Sequence, residues 1–379
     1  MIQHLPHDKQ TSEPIVLVCT GDLVLDVPEP EYWLEGIAPV LQAADITIGH
    51  LEVPHTTVSH ELEGDVPAPG ADPAHLAALV YAGFTGVTLA GNHIADCGTQ
   101  GIDDTVAELD RLGIAHSGAG KDLASARAPM MLAAGNRRIA VFSYNCIGPA
   151  NAWAGPDSAG CAYLPVSTAD GSAGVPASTY TAPLPEAAAI LEEDIAKVRN
   201  EVDLVIVALH KGTVHTPAIV EDYEKALSRS AVTAGADIVI GHHAHIIRGI
   251  EYIQGKPVFH GLGNGCVVTR ALSPDQDHAA RAAWAEKRKV MFGFEPDPAY
   301  ELAPFHPEAV NGFVARFAWY PDGRLEAGLV PVFVDPPGRP RLASESEAEK
   351  ISAYVQEITT RAGLGTLSLK QRQDMVVIE

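Results

Sequence analysis

Three histidines lie within four positions in the second half of the chain, directly after an apolar run. The stretch DIVIGHHAHIIRGIE (237–251) places His242, His243 and His245 behind the apolar residues 238–240 and a glycine. Imidazole is both a metal ligand and a proton carrier near neutral pH, so the cluster could serve either chemistry. A histidine-rich tract is also compatible with a solvated loop, and the cluster alone leaves both alternatives open.

Other apolar runs also end in side chains that can bind a metal. The runs are IVLVCTGD (15–22), ITIGHLE (46–52), FTGVTLAGNH (84–93) and DLVIVALHKG (203–212). The ligand-type residues at their ends are Asp22, Glu52, Asn92 with His93, and His210. Taken singly, each has a structural alternative, such as a helix cap for Asp22 or a left-handed turn for Asn92. Ligands bind outside the carboxyl ends of strands in α/β sheets, so the joint pattern predicts one metal centre.

The order of elements positions these residues. Helical periodicity near 30–44, 72–82 and 99–113 alternates with the strand-like runs, which predicts an α/β fold. Near the end, GFVARFAWY (312–320) and AGLVPVFV (327–334) read as antiparallel strands. The mixed oxygen and nitrogen donors suit one or two divalent cations, with Zn, Mn, Fe or Ca as candidates, and Glu52 or Asp22 could bridge a pair.

Composition limits the partners. The net charge of −22 argues against nucleic acid, whose phosphates need a basic surface. Five widely spaced cysteines without a CxxC pattern fit neither a disulfide framework nor a thiolate zinc site. The polar N-terminus has no signal-peptide pattern, and no apolar run approaches the roughly 20 residues of a membrane span. These features predict a cytoplasmic protein with no membrane partner.

The domain organisation predicted from the sequence has three parts. Residues 1–14 read as a disordered tail, 15–335 as one domain, and 336–379 as a C-terminal extension with a helix near 345–362 and a polar coil. Two long segments, 146–184 and 270–308, interrupt the domain and are predicted to form lids over the metal edge. Trp153 and Trp284 within them are predicted to grip a peptide.

Seven motifs between residues 15 and 267 carry a family resemblance. They are GDLVLD, DITIGHLEVP, AGFTGVTLAGNHIADCGTQGIDDT, HSGAG, LHKG, GADIVIGHHAHIIRGIEYIQGKPVF and GLGN. In this order they resemble the CapA-like proteins, relatives of the poly-γ-glutamate capsule synthesis protein on the calcineurin-like metallophosphatase fold. The resemblance implies a sandwich of two β-sheets flanked by helices.

The resemblance also implies roles for particular residues. It implies that His93 is the catalytic imidazole, and it implies these metal ligands: Asp22, Glu52, Asn92, His210, and the histidines His242, His243 and His245. The chain departs from the family pattern at His50, where an asparagine is usual, at Gly91, at Lys211, where a tryptophan is usual, and at Gly265. Retained ligands with changed neighbours suggest a new substrate.

Lys211 has two alternative roles. A desolvated lysine near cations shifts its pKa readily and could exchange protons with a substrate opposite His93. It could equally form a salt bridge with one of the many carboxylates. Asp96, His50 and a metal-bound water are the next candidates for the second proton carrier.

The predicted function is metal-dependent inversion of the Cα of the C-terminal residue, a tryptophan, of a ribosomal lasso-peptide precursor. The chain looks like the branch of CapA-like proteins recruited to peptide maturation. One alternative is a metal-dependent hydrolase of phosphoesters or amides, and the other is a non-enzymatic subunit of capsule or poly-γ-glutamate synthesis. Deuterium incorporation at Cα separates the three.

Overall fold

The computed structural model describes residues 3–5, 13–60, 62, 68–172, 174–273, 278–372 and 375–379. The strands among them are β1 Gln3–Leu5, β2 Ile15–Asp26, β3 Ile46–Leu51, β4 Gly86–Thr88, β5 Ala115–Ser117, β6 Ala119–Gly120, β7 Met130–Ala134, β8 Arg137–Asn145, β9 Gly160–Cys161, β10 Val166–Thr168, β11 Tyr180–Pro183, β12 Leu204–His210, β13 Ile238–His242, β14 Ile250–Ile253, β15 Lys256–Phe259, β16 Asn264–Thr269, β17 Asn311–Trp319, β18 Leu325–Asp335, β19 Arg339–Leu342, β20 Leu369–Arg372 and β21 Met375–Ile378. The α-helices are α1 Pro30–Leu34, α2 Ala38–Gln42, α3 Ala77–Ala82, α4 Gly98–Leu112, α5 Leu123–Arg127, α6 Pro185–Val198, α7 Asp222–Ala234, α8 Ala279–Phe292 and α9 Glu345–Arg361.

Two large β-sheets dominate the fold. The first has the order β1-β7-β8-β12-β13-β15-β14, and its central strands β8, β12, β13 and β15 run parallel. The second has the order β20-β21-β18-β17-β2-β3-β4-β5, and β16 also pairs with β2, in parallel. Its β2–β5 half is parallel, while β17, β18, β20 and β21 continue it antiparallel. The predicted α/β sandwich of two sheets flanked by helices is confirmed.

The central strands are buried along their whole length because both of their faces are covered. In β12, alternate side chains Leu204, Ile206 and Ala208 pack in the core between the two sheets, which also holds Ile48 of β3. The intervening side chains of β12 face outward to a second core, formed with helices α6 and α7. A strand buried on both faces therefore reads as a continuous apolar run and not as an alternating one.

Several predicted elements are confirmed with small shifts in their bounds. The stretch 99–113 forms α4, and the antiparallel pair near the end of the domain is β17 and β18. The helical stretch near 30–44 divides into α1 and α2. In the segment 84–93, only Gly86–Thr88 forms a strand.

The C-terminal residues are part of the sandwich. Helix α9 confirms the predicted helix near 345–362, and it buries Ile351, Val355 and Ile358 in the core between the sheets. Strand β21 pairs with β18, so the polar coil expected after the helix is instead the edge of the second sheet. Segment 336–379 thus belongs to the same packed unit as the rest of the domain.

The N-terminal stretch also differs from the expected tail. Gln3–Leu5 form β1, which pairs in parallel with β7, while residues 1–2 and 6–12 lie outside the described residues.

All five cysteines are buried thiols. Over the described part of the chain, no helix combines the length and apolar character needed to cross a membrane.

A glycine next to Asp22 permits a close crossing of two backbones. A Cβ atom at Gly21 would lie 1.8 Å from the carbonyl oxygen of Gly263, which also accepts a hydrogen bond from the Asp22 amide at 2.9 Å. The register of β2 against β3 shifts between Cys19 and Asp22. The absence of a side chain at Gly21 therefore permits the backbone crossing that positions Asp22.

We predict that Gly21→Ala lowers the free energy of unfolding by about 1–3 kcal/mol, since overpacking against backbone cannot relax by a side-chain movement. Urea denaturation measures the effect. Gly312→Ala in β17 is the control, because its nearest neighbour would lie 3.5 Å away, at ordinary contact distance. Equal stability of the two variants would show that the crossing is not constrained.

Candidate metal centre

The two sheets bring their polar strand ends to one place. In the second sheet, Asp22 of β2 pairs in register with His50 of β3. In the first sheet, His210 of β12 pairs in register with His242 of β13. His210 and His242 are the last residues of their strands, as predicted, whereas β2 continues beyond Asp22 to Asp26 and Asp22 lies at the register shift within it. Ligand atoms of Asp22, His50 and His210 nevertheless meet at the seam between the sheets.

Eight side chains form what we call the donor cluster. Its members are Asp22, His50, Glu52, Asn92, His210, His242, His243 and His245. Ligand atoms of Asp22, His50 and His210 lie within 4.8 Å of one another, and so do those of Asp22, Glu52 and His245. Asp22 belongs to both groups, which is the arrangement of a carboxylate that could bridge two cations.

The remaining members complete the cluster. Asn92 Oδ1 lies 2.7 Å from His210 Nε2, and the ring centroid of His243 lies 4.9 Å from that of His210. His242 Nδ1 lies 3.2 Å from Asp22 Oδ1. All seven residues that the resemblance implies as metal ligands are therefore brought together.

Buried polar atoms in the cluster fit a divalent cation. In the described structure, both carboxylate oxygens of Asp22, Nε2 of His50 and Nδ1 of His210 and His243 are buried without a hydrogen-bond partner. Burial raises the pKa of Asp22 and lowers the pKa of His50 to about 3. Neutral imidazoles and a carboxylate that cannot reach water are the ligand forms that a cation binds, and the mixed O/N set suits Zn, Mn or Fe.

His50 was not among the predicted ligands. The sequence comparison marked it only as a departure from the family's asparagine and as a reserve proton carrier. The spacing of His50 from Glu52 could have predicted it as a ligand. His50 precedes Glu52 by two residues, and residues two apart in an extended chain face the same side. Its Nδ1 lies 3.0 Å from the Thr88 hydroxyl, which leaves Nε2 directed to the cluster side.

His93 forms an imidazole–carboxylate pair with Asp96. The Nδ1 atom of His93 lies 2.7 Å from Asp96 Oδ2, and both residues are buried. A carboxylate on Nδ1 fixes the tautomer and orientation of an imidazole, so Nε2 is the atom that would exchange a proton with a substrate.

A cavity of about 330 Å³ opens over the cluster. Its floor is formed by Glu52, Asn92, His93, His243 and His245. Helix α8 provides much of one wall through Trp284, Lys287, Arg288, Met291 and Phe292, and Phe305 closes another side. The other lining side chains are mainly small and apolar, among them Val24, Val53, Val214, Val267 and Leu272.

The two interrupting segments differ in their relation to this cavity. Segment 270–308 lines it through α8, including Trp284, whereas segment 146–184 contributes only Pro176 and Ala177 to the described lining. Trp153 lies elsewhere, with its ring stacked on Tyr163 at 4.4 Å and its indole nitrogen donating to the Ile147 carbonyl at 3.3 Å. The prediction that Trp153 grips a substrate therefore does not fit its position.

Lys211 does not line the cavity. Its side chain is fully buried, with Nζ 3.1 Å from Glu224 Oε2 and 3.2 Å from His260 Nδ1. Arg248 also binds Glu224, at 2.9 Å, and we call Lys211, Glu224 and Arg248 the ionic clamp. Of the two roles open to Lys211, this placement favours the salt bridge over proton transfer.

A comparison with protein families decides the relationship of this chain. Residues 7–267 match the sequence profile of the family described as "Bacterial capsule synthesis protein PGA_cap". The chain belongs to this PGA_cap family. The resemblance seen in the motifs is thereby confirmed, and the match ends before α8.

Curated PGA_cap relatives are related to this chain at moderate identity. The PGA biosynthesis protein CapA of Bacillus subtilis is 26% identical over 229 residues, covering 60% of this chain and 54% of that protein. The capsule biosynthesis protein CapA of Bacillus anthracis is 23% identical, covering 69% and 61%. A probable polyglutamine synthesis accessory protein of Mycobacterium tuberculosis is 30% identical, covering 46% and 43%. The chain spans about half the length of these relatives.

Solved structures resemble the chain more distantly. GAP50, titled the anchor in the inner membrane complex of Plasmodium, aligns over 91% of this chain and 96% of its own, at 8% identity and a TM-score of 0.39. The calcineurin-like phosphoesterase YfkN of Bacillus subtilis aligns over 93% and 99%, at 11% identity and a TM-score of 0.33.

We predict that the purified protein binds a divalent cation and that Asp22→Ala loses most of it, because Asp22 serves both ligand groups. Elemental analysis after dialysis measures the bound metal, and a thermal shift on chelation measures its stabilising effect. Asp72→Ala is the control, since Asp72 caps a short helix at the surface. Equal metal content in both variants would contradict the assignment.

We predict that Glu224→Gln lowers the free energy of unfolding by about 3–5 kcal/mol, because it leaves Lys211 and Arg248 buried without a counter-charge. Lys211→Ala should destabilise the fold in the same range. Glu357→Gln removes an exposed pair with Arg361 and should cost under about 1 kcal/mol. A fully stable Lys211→Ala variant with lost turnover would instead restore the proton-transfer role.

Proposed function

We propose that the protein is a metal-dependent peptide epimerase that inverts the Cα of a C-terminal residue, a tryptophan in a ribosomal lasso-peptide precursor. The observation that supports this most is the composition of the cavity. An apolar, aromatic-walled space of about 330 Å³ ends on the donor cluster and on the His93–Asp96 pair. A large apolar side chain fits these walls, since ligand pockets hold such groups mainly by apolar and aromatic contact.

The chemistry follows from the residues on the floor. A cation held by Asp22, Glu52, His210, His243 and His245 would polarise the carboxyl group beside Cα and so acidify the Cα–H bond. His93 lines the same cavity and would take the Cα proton on Nε2, while Asp96 holds the Nδ1 proton and stabilises the imidazolium.

Inversion requires a proton on the opposite face of Cα. Besides the donor cluster, His93 and the cations of α8, the ionisable side chains in the described lining are Asp26 and His215. Burial raises the pKa of Asp26 above its ordinary value, against a smaller lowering by the hydrogen bond that it accepts from Thr269 at 2.8 Å. Asp26 is therefore our candidate for the returning acid in place of Lys211.

A hydrolase is the second candidate. It is favoured by Asp22, which belongs to both ligand groups, because paired cations commonly activate water for hydrolysis. The names of the curated relatives favour a third role, in capsule or polyglutamate synthesis. Incubation in D2O separates these roles. An epimerase adds one deuterium at Cα without changing chain length, a hydrolase shortens or dephosphorylates its substrate, and an accessory subunit does neither.

We predict that His93→Ala and Asp96→Asn slow deuterium incorporation into a synthetic peptide ending in L-tryptophan by about 10²–10⁴-fold, with metal content unchanged. Mass spectrometry measures the exchange and chiral chromatography of the hydrolysate measures inversion. The control is His116→Ala, which breaks a surface His–Asp pair of 3.3 Å with Asp110. Cleaved peptide without deuterium in the wild type would replace the epimerase with the hydrolase.

A further inference from the structure

Helix α8 places a buried cation in the wall of the cavity. Arg288 is 4% exposed and lines the cavity together with its neighbour Lys287. Its guanidinium donates to the Pro304 carbonyl, and it forms no ion pair with any described carboxylate. A buried charge without a counter-charge is costly, so proteins retain one mainly where a ligand supplies the partner.

The surroundings of Arg288 limit what that ligand can be. Trp284, Met291 and Phe292 from the same helix line the cavity beside it. The guanidinium therefore faces a space in which the other wall groups offer apolar contact and few hydrogen bonds. A ligand that fits both features carries one small planar anion and, next to it, a large apolar group.

Arg288 also lies near the donor end of the cavity. His215, which lines the cavity, contacts the ring of Phe292 at 4.7 Å and that of His245 at 6.1 Å. Phe292 lies four residues after Arg288 and so on the same face of α8, which places Arg288 near the donor cluster as well.

We propose that Arg288 is the receptor for the free α-carboxylate of the substrate and that the α8 side chains select an aromatic or large aliphatic group on the same residue. This inference rests on the proposed function and narrows its substrate class to peptides that end in an unblocked residue. A guanidinium binds a carboxylate through two parallel hydrogen bonds, which fixes the residue's orientation above His93. Arg288 is thus a binding and positioning residue.

The family comparison agrees with a role in selectivity. The PGA_cap match covers residues 7–267 and therefore includes the donor cluster, His93 and Asp96, but it ends before α8. The groups that would perform the chemistry come from the family region. The groups that would choose the substrate come from the segment beyond it.

Binding of small probes tests the inference without any turnover. Isothermal titration of the metal-loaded protein would compare N-acetyl-L-tryptophan, N-acetyl-L-tryptophanamide and inorganic phosphate. The wild type should bind the acid about 10–100-fold more tightly than the amide, since a charge-assisted hydrogen bond is lost with the carboxylate. Arg288→Gln should reduce this preference by about tenfold, because the cation still attracts the carboxylate after the charge-assisted hydrogen bond is lost, and Arg288→Lys should keep more of it.

Lys289→Gln is the matched control. It removes one positive charge from the same helix, but Lys289 pairs with Glu286 at 3.2 Å and Glu295 at 3.3 Å and is absent from the described lining. Its preference for the acid should equal that of the wild type. Metal content and thermal unfolding of every variant would show that Arg288→Gln remains folded, and Arg288→Lys keeps the test valid if it does not.

Three results would overturn the inference. They are equal affinity of the wild type for acid and amide, a preference that Arg288→Gln leaves unchanged, and Arg288-dependent binding of phosphate without binding of the acid. The outcome is independent of the reaction. Arg288-dependent recognition of the acid together with no deuterium exchange would uphold this inference and reject the epimerase.

Discussion

The structure depends on keeping a carboxylate and several imidazoles close together in the seam between the two sheets. Asp22 is fully buried between the sheets, and so are His50, His210, His242 and His243, while the side chain of His245 is 15% exposed. Their like-charged forms would repel one another, and burial disfavours the charged form of each. A divalent cation bound at this candidate site would relieve the conflict, because it would give the inward lone pairs a partner. The strand ends, the glycine crossing at Gly21 and the loops behind them all serve to hold that set in place.

The ionic clamp holds the two histidine loops against each other. His243 and His245 have positive φ angles of 89° and 53°, a conformation that costs energy in a non-glycine residue. Glu224 on α7 accepts hydrogen bonds from Lys211, which follows His210, and from Arg248, which follows His245. Arg248 also donates to Thr213 in the first loop. A single carboxylate thus joins the loop after β12 to the loop after β13 and keeps the strained conformation.

Much of the fold could be predicted from the sequence because its strands are buried on both faces. Runs such as LVIVALH leave little ambiguity, and their polar ends revealed most of the donor cluster. The sequence left both a salt bridge and proton transfer open for Lys211, since its partner Glu224 lies on a helix and only the packing of α7 brings the two together. Trp153 was misplaced for a similar reason, because composition gives no direction for a loop side chain. His50 was within reach through its two-residue spacing from Glu52.

Both ends of the segment that carries α8 are fixed to the same strand. Strand β16 pairs with Asp22–Asp26 of β2 and β17 pairs with Ile15–Cys19, so the segment between them leaves and re-enters the sheet along β2. The pairing of β16 and β17 with β2 therefore does not depend on the length of the segment, which contacts the donor cluster through Phe305, whose ring stacks on that of His245 at 4.9 Å. The residues of the donor cluster and the α8 residues that line the cavity thus belong to different parts of the chain and can change separately in evolution. Related proteins that share the two sheets can differ in the ligand they bind through changes in the one segment that connects β16 to β17.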